Sequence, residues 1–215
     1  MRTRTHHESL YRGPDAVARL AALRVTLCGA GALGSHLADN LVRQGLASLR
    51  VIDKDQVETH NVGTQLYGDG DVGGWKADVL RTRLFRACGV EIDAVTKELT
   101  DRTADKLLAG AGLVIDTFDN SASRRLVQEA SRRLGVPCLH VGLNADYAEV
   151  MWDEGYRVPN DVGADVCDYP LARNLVLLAV AVASEEVVRF AAHGVREAWT
   201  VTLKDFAVRP ALQVE

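Results

Sequence analysis

The feature that most constrains the fold is a glycine-rich turn between a short apolar segment and an amphipathic one. Arg24–Cys28 is rich in β-branched and apolar residues, and Gly29-Ala-Gly31-Ala-Leu-Gly34 follows it at once. The next residues, to position 44, have the spacing of an amphipathic helix, which ends at Gly45, and Ser48–Ile52 is a second apolar segment. This pattern of strand, helix and strand predicts the first unit of a parallel sheet.

The same alternation continues along the next part of the chain. Helices are predicted at residues 75–88, 103–108 and 120–134, and strands at residues 90–95, 113–116 and 137–141. Short strands separated by helices form a parallel sheet that is covered on both faces. We therefore predict a doubly wound α/β fold with a mostly parallel, Rossmann-like sheet.

The last third of the chain has a different pattern. It contains a predicted strand at 147–152, a loop rich in Gly, Asp and Pro at 158–168, a long apolar helix at 171–192 and a hairpin at 199–203 and 206–209. We expect these elements to extend the sheet with antiparallel strands. The 215 residues contain no internal repeat or long linker, so we predict a single domain, 1–215, with an N-terminal arm or helix (1–22), a core (23–145) and a C-terminal part (146–215).

Composition excludes several classes of protein. A chain with 47% hydrophobic and 25% charged residues is not disordered, collagen-like or built on disulfides. The net charge of -4 argues against a protein that coats nucleic acid. The longest apolar run has nine residues, where a membrane span needs about 20, and the N-terminus lacks the apolar stretch of a secretory signal. We predict a cytoplasmic protein with no membrane or nucleic-acid partner.

The glycine-rich turn has the form of a nucleotide-binding site. Gly29 permits a tight turn, Gly31 lets backbone N–H groups approach a phosphate, and Gly34 lets the helix pack close to the strand. Asp53 ends the second strand, where a carboxylate can accept hydrogen bonds from ribose hydroxyls. These residues indicate a nucleotide but leave NAD(P), FAD and ATP open.

Three further motifs narrow that choice. Residues 53–65 read Asp-Lys-Asp-Gln-Val-Glu-Thr-His-Asn-Val-Gly-Thr-Gln, and Gly73-Gly-Trp-Lys76-Ala77 follows. Residues 114–120 read Val-Ile-Asp-Thr-Phe-Asp-Asn, with Arg124 one helical turn later. In the order and spacing of these motifs, about residues 20–145 resemble the ThiF/MoeB-type adenylyltransferases, the superfamily that includes ubiquitin-activating enzymes.

The resemblance implies a minimal ThiF-like, ATP-binding adenylation domain. Gly29, Gly31 and Gly34 would frame the ATP and Asp53 would hold its ribose. Other residues would act on the phosphates: Lys76 by direct contact, Asp119 through a bound Mg²⁺, and Asn61 and Gln65 by completing the phosphate pocket. A phosphate chain with several negative charges needs such a cation, a metal on a hard oxygen ligand and oriented N–H dipoles.

Several of these residues also have an ordinary structural interpretation. Lys76 taken alone is typical of a solvated helix lysine, and Asp119 with Asn120 is typical of a helix N-cap. We expect Asp116 to support the turn at the end of its strand rather than to bind metal, and Arg124 to pair with a carboxylate at a strand end.

The sequence departs from the family at one position where the family has a charged residue. The family usually has an arginine where this chain has Thr64, and a hydroxyl does not replace a bidentate, permanently charged guanidinium. Either another basic group takes its place or the protein binds nucleotide without efficient turnover. In family dimers an arginine from the partner's N-terminal segment can enter the site, and Arg12 is the best-placed candidate here, with Arg2 and Arg4 behind it.

The four cysteines are scattered, without the CxxC pairs that bind zinc in many members, so we expect no zinc. Cys167 lies about where thioester-forming members place a reactive cysteine, although Asp165 and Asp168 beside it would raise the pKa of its thiol. The other three cysteines adjoin apolar segments and are predicted to be buried. His140 is predicted either to line the acceptor side of the site or to be a core histidine.

The leading hypothesis is an enzyme that uses Mg-ATP to convert a carboxylate into an acyl adenylate with release of pyrophosphate. By resemblance, the carboxylate is the C-terminus of a small ubiquitin-like or sulfur-carrier protein, and the enzyme is a homodimer. The long apolar helix also favours a dimer. Two alternatives stay open: an NAD(P)-linked oxidoreductase, which explains the glycines and Asp53, and a non-catalytic nucleotide-binding scaffold subunit, which explains Thr64.

Overall fold

The computed structural model describes residues 3–160 and 170–211, and these residues form a single eight-stranded sheet. The strands are β1 Arg24–Cys28, β2 Ser48–Ile52, β3 Asp93–Val95, β4 Leu113–Asp116, β5 Cys138–Asn144, β6 Tyr147–Trp152, β7 Trp199–Thr202 and β8 Ala207–Pro210. Their order is β3-β2-β1-β4-β5-β6-β7-β8. The pairs from β3 to β5 are parallel and those from β5 to β8 are antiparallel, which confirms the predicted fold class.

Helices cover the sheet on both faces. They are α1 His6–Arg12, α2 Pro14–Ala22, α3 Ala32–Gln44, α4 Lys76–Cys88, α5 Ala104–Leu108, α6 Ser121–Leu134 and α7 Arg173–His193. Side chains of β1 alternate between two apolar cores: Leu27 packs with residues of α3, α4 and α7, and Cys28 packs with residues of α5 and α6. None of the helices in the described ranges, 21-residue α7 included, has the length and apolar character needed to cross a membrane.

The structure differs from the sequence prediction mainly at element ends. Strand β5 continues to Asn144, three residues beyond the prediction, because its second half pairs with β6 in an antiparallel hairpin. The predicted N-terminal arm is two helices that meet at Gly13, where φ is 86°. The apolar excess of α7 is largely explained within the chain, since α2 and α3 pack on one side of it and β5 to β7 on another.

The turn between β1 and α3 lies at the point where the strand order reverses, between β1 and β4. Gly29 has φ of 99°, a conformation that favours glycine. A Cβ on Gly34 would lie 2.0 Å from the carbonyl oxygen of Gly29, so only glycine lets α3 start this close to β1. Thr117, after β4, places its hydroxyl 3.0 Å from Cys28 O and 3.1 Å from Gly29 O, and thereby ties the two strand ends together.

A buried charged cluster holds the end of β4. Asp116 is fully buried; its Oδ1 accepts a hydrogen bond from Phe118 N at 3.1 Å and its Oδ2 lies 2.8 Å from His140 Nδ1. Arg124 Nη1 lies 3.6 Å from the same Oδ2 and donates to Tyr156 at 2.9 Å. Burial alone would lower the pKa of His140, but its contacts with Asp116 and Asp153 raise the pKa well above its ordinary value. Asp116 thus supports the strand-end turn and pairs with Arg124, as predicted.

A substitution at the closest backbone approach tests the β1–α3 turn. Gly34→Ala forces the new methyl group against Gly29 O, so we expect the free energy of unfolding to fall by about 2 kcal/mol or more in urea titrations. Gly70→Ala is the control, because Gly70 is exposed and a Cβ there meets no atom within 4 Å. Equal stability of the two variants would contradict this account.

The buried cluster predicts a pH dependence of stability. Because folding raises the pKa of His140 from an ordinary value of 6.5, its contribution is complete below about pH 6.5 and declines as pH rises towards the folded-state pKa. His140→Gln should lower the free energy of unfolding at neutral pH by roughly 3 kcal/mol and remove this alkaline decline. Exposed His193→Gln is the control in urea titrations at several pH values, and an unchanged alkaline decline in His140→Gln would refute the assignment.

Candidate functional site

A cavity of about 380 Å³ opens at the carboxyl ends of β1, β2 and β4. Its walls are the glycine-rich turn, the residues that end β2, the first residue of α4, the segment after β3, and the turn between β4 and α6. Open α/β sheets bind ligands at this position. The loops that follow the two strands at the reversal point lead to opposite sides of the sheet, and a crevice forms between them.

Five of the residues predicted from the sequence line this cavity: Gly29, Gly31, Asp53, Lys76 and Asp119. At Gly31 a Cβ would meet no protein atom within 4 Å, so the missing side chain leaves open space for a ligand at the start of α3. Gly34 lies behind the turn and has the packing role described above.

Asp53 is held in a fixed orientation by the backbone. Its side chain is almost fully buried; Oδ2 accepts a hydrogen bond from Ala30 N at 2.6 Å and Oδ1 accepts one from Asp55 N at 2.8 Å. Burial raises the pKa of Asp53, while the positive charge of Lys76 and the two backbone hydrogen bonds oppose that rise. Each carboxylate oxygen can accept more than one hydrogen bond, so Asp53 can still bind two neighbouring hydroxyl groups.

Lys76 is not a solvated helix lysine. Its side chain is only 10% exposed, and Nζ lies 3.3 Å from Asp55 Oδ2. Its backbone N–H donates to Asp55 O at 2.9 Å, which fixes the start of α4 against the end of β2. The ammonium group is therefore held at the cavity wall beside Asp53 and Asp55.

Asp119 and Asn120 have different roles: Asn120 caps a helix, and Asp119 faces the cavity. Asn120 is the N-cap of α6, since its Oδ1 accepts a hydrogen bond from Ser123 N at 2.9 Å. Asp119 is exposed at the cavity and contacts only Asn120 Nδ2, at 3.3 Å, among the described residues. Its carboxylate thus has oxygen lone pairs to offer to a cation.

Asn61 and Gln65 do not line the cavity. Asn61 is buried, and its Oδ1 accepts a hydrogen bond from Glu58 N at 2.9 Å, which caps a short 3-10 turn. Gln65 Oε1 is buried and has no hydrogen-bond partner among the described residues. Between them, Thr64 O lies 3.1 Å from His36 Nε2 of α3. The segment that contains these residues therefore lies along the first turns of α3, outside the cavity wall.

Arg12, one of the predicted catalytic residues, stands apart from the cavity. Arg12 donates to both carboxylate oxygens of Glu185 in α7, at 2.9 and 2.6 Å, and to Glu8 at 2.6 Å; these partners raise the pKa of its guanidinium. Its entry into a partner's site concerns a second chain and stays a prediction. Cys167, like Arg2, lies outside the described residues.

The remaining candidates have structural positions. His140 is fully buried and stacks on Tyr156 with a ring-centroid distance of 3.9 Å, so it is a core histidine rather than a residue of the acceptor side. Cys28 and Cys138 are buried, as predicted, whereas Cys88 is partly exposed. Arg4 donates to the carbonyl oxygen of Cys88 and does not reach the cavity.

Sequence reasoning missed one wall of the cavity, the segment of Lys97, Glu98 and Leu99. Glu98 accepts a hydrogen bond from Lys54 at 2.6 Å and thereby joins the ends of β3 and β2. The available signal was topological: a segment that follows a parallel strand beside the glycine-rich turn lies at the same edge of the sheet.

Comparison with known proteins agrees with this geometry. The ThiF family matches residues 6–157. The sulfur carrier protein ThiS adenylyltransferase of Bacillus subtilis is 36% identical over 134 residues, which cover 60% of this chain and 39% of that protein. The sulfur carrier protein adenylyltransferase of Thermus thermophilus is 38% identical over 127 residues, covering 58% and 47% respectively. The match thus spans less than half of each of these curated relatives.

Solved structures extend the similarity to nearly the whole fold. Escherichia coli MccB with ATP has a TM-score of 0.82 at 16% identity, covering 98% of this chain and 71% of that one. MccB with MccA-N7isoASN has a TM-score of 0.85, covering 99% and 72%. At this identity the likeness concerns the fold alone. The family match extends over more than half of the chain, from α1 to beyond β6, and on that ground the chain belongs to the ThiF family.

Proposed function

We propose that this protein binds Mg-ATP in the cavity and transfers AMP to a carboxylate. The observation that supports this most directly is that Gly31, Asp53, Lys76 and Asp119, which are far apart in the sequence, line one cavity at the strand-order reversal. The match to proteins named as adenylyltransferases supports the same reaction class.

Each group has a role that its position allows. Asp53 accepts hydrogen bonds from the ribose hydroxyls, and the N–H groups at the start of α3 and Lys76 bind phosphate oxygens. Asp119 is the residue that would hold Mg²⁺, which neutralises phosphate charge when bound. Asp119 would be this chain's ligand to the metal, and the described residues contain no cluster of three or more His, Cys, Asp or Glu side chains able to hold a metal.

The proposed reaction is an in-line displacement. The acceptor carboxylate oxygen attacks the α-phosphorus, a new P–O bond forms, the bond from the α-phosphorus to the bridging oxygen breaks, and pyrophosphate leaves with that electron pair. A carboxylate is already a nucleophile at neutral pH, so the step requires positioning and charge neutralisation but no general base. None of the described residues that line the cavity is a histidine, and this chemistry requires none.

We propose the C-terminus of a small ubiquitin-like or sulfur-carrier protein as the acceptor. The names of relatives support this class: two are sulfur carrier protein adenylyltransferases, and the SAMP-activating enzyme E1 of Haloferax volcanii is 32% identical over 131 residues. We propose the cytoplasm as the location, because the cysteines are scattered along the chain without paired spacing, as is usual in a reducing compartment. Thioester formation at Cys167 stays a prediction, as does the expectation that the protein needs no zinc.

A homodimer is also part of the proposal. The apolar character of α7 no longer supports it strongly, because much of that surface is covered within the chain. Leu10 and Tyr11 of α1, which are 71% and 83% exposed, and Leu177 of α7, 41% exposed, provide apolar surface that a second copy would cover.

Isotope exchange between ATP and pyrophosphate tests the activity. With candidate carrier proteins as acceptors, Asp119→Ala and Lys76→Ala should each reduce the exchange rate by about a hundredfold. Lys76→Ala removes a cation that would neutralise phosphate charge, and Asp119→Ala removes the carboxylate that would hold Mg²⁺ against the phosphates. Lys106→Ala, which removes an exposed lysine on α5, is the matched control. Exchange that survives both cavity substitutions would refute the site. ATP binding without exchange would favour the scaffold alternative.

Thermal unfolding with different nucleotides separates ATP chemistry from the oxidoreductase alternative, which the glycine turn and Asp53 also support. At a concentration of ATP and Mg²⁺ one hundred times the dissociation constant, binding adds about 2.7 kcal/mol to the stability of the folded state and raises the melting temperature. We expect no comparable rise with NAD⁺. Stabilisation by NAD⁺ alone would reverse the proposal.

A further inference from the structure

The cavity is short of positive charge for a nucleoside triphosphate. Its lining contains three lysines and four carboxylates, namely Lys54, Lys76, Lys97, Asp53, Asp55, Glu98 and Asp119. Two of the lysines are already paired with carboxylates of the same wall, Lys54 with Glu98 and Lys76 with Asp55. A phosphate chain therefore needs a cation from beyond this lining in addition to any metal ion.

The segment around Thr64 flanks the start of α3, where the phosphates are proposed to bind. Tyr67 donates its hydroxyl proton to Ala30 O at 2.7 Å, and Leu66 N donates to Ser35 Oγ at 3.1 Å. Together with the contact between His36 and Thr64 O, these bonds fix the segment against the first turns of α3. Thr64 itself brings no charge to this position.

Arg173, the first residue of α7, reaches the same segment from the other side. Its Nη1 lies 3.4 Å from Gly63 O and 3.4 Å from Gln65 O, so the guanidinium spans the backbone on both sides of Thr64. The positive charge of Arg173 also contributes, after burial, to the lowered pKa of His36 in α3. The two carbonyl contacts, together with the contact of Thr64 O with His36, place the guanidinium near the first turns of α3.

This guanidinium is weakly engaged. Contacts of 3.4 Å to neutral carbonyls are long for hydrogen bonds, and its Nε and Nη2 have no partner among the described residues. Nor does any carboxylate of the described ranges lie within ion-pair distance of it. Arg12, by contrast, makes three hydrogen bonds of 2.6 to 2.9 Å to two carboxylates. Arg173 therefore retains most of its donors for a ligand.

We propose that Arg173 binds the phosphate chain of the nucleotide and supplies the permanent positive charge that Thr64 lacks. A guanidinium offers two parallel N–H donors to phosphate oxygens, so on binding of the nucleotide the Arg173 side chain exchanges two weak carbonyl contacts for a charged, bidentate one. The segment of Thr64 does not line the cavity that contains Asp53, so the contact is to the phosphates distal to the ribose. This inference rests on the proposed binding of ATP.

Equilibrium binding of nucleotides tests the proposal without any acceptor protein. For Arg173→Ala, the dissociation constant of ATP with Mg²⁺ should rise by about ten- to a hundredfold, because a charge-assisted contact is lost, while that of AMP should stay within about twofold. Arg86→Ala, which removes an exposed arginine in the last turn of α4, is the control and should leave both constants unchanged. Unchanged ATP binding by Arg173→Ala would overturn the inference.

A rescue experiment distinguishes phosphate binding by Arg173 from a purely structural role, in which Arg173 only holds the backbone of residues 63–65 in place. The double variant Arg173→Ala with Thr64→Arg returns a guanidinium to the same segment from a different element, so ATP affinity should recover by at least about tenfold. Loss of the two carbonyl contacts is not restored by Thr64→Arg, so a purely structural Arg173 predicts no recovery. Urea titrations of all variants show whether each is folded at the assay temperature.

The outcomes distinguish this inference from the proposed function. Tight ATP binding that depends on Arg173 but is not followed by pyrophosphate exchange would support the inference and count against adenylation. Exchange in the wild type that is indifferent to Arg173→Ala would support adenylation and overturn the inference. Failure of the wild type to bind ATP would overturn both.

Discussion

The structure depends on one close backbone approach, that of Gly34 to the carbonyl of Gly29. Because neither residue has a side chain, α3 begins directly behind the end of β1, and Gly31 at its start lines the cavity. The Thr117 hydroxyl fastens the end of β4 to the same turn, so the two strands at the reversal point present their loops as one unit. These contacts add to the parallel pairing of β1 with β4 in fixing the glycine-rich turn relative to the turn that bears Asp119.

Behind that unit lies a set of buried charges. Asp116 accepts a hydrogen bond from Phe118 N, and it is itself neutralised by His140 and Arg124. A buried carboxylate with two cationic partners is far less unfavourable than an isolated one, and removal of either partner weakens that compensation. These contacts hold the end of β4 behind the exposed Asp119, the residue that we propose as the ligand of Mg²⁺.

The sequence predicted the fold well, and the site in part. Gly29, Gly31, Asp53 and Asp119 follow strand ends, and parallel topology brings strand ends together, so their shared cavity was predictable. Lys76 reaches the same cavity from the start of α4, and it was found through the motif that contains it. The wall at Glu98 and the position of Arg173 depend on how a short edge strand and a distant helix pack, and no local pattern encodes that packing. His140 was ambiguous in the sequence because its burial is set by its neighbours, α6 and Tyr156, rather than by its own strand.

The ion pair of Arg12 with Glu185 has a further consequence. An Arg12 that serves a partner's cavity must first leave Glu185 and Glu8, and it acts only where a second chain is present. Arg173 serves the cavity of its own chain and leaves only weak contacts. If Arg173 completes the site, the specific activity does not depend on the protein concentration. If Arg12 of a second chain completes it, the specific activity falls on dilution, because the dimer dissociates. The kinetic order in protein therefore reveals which arginine completes the site.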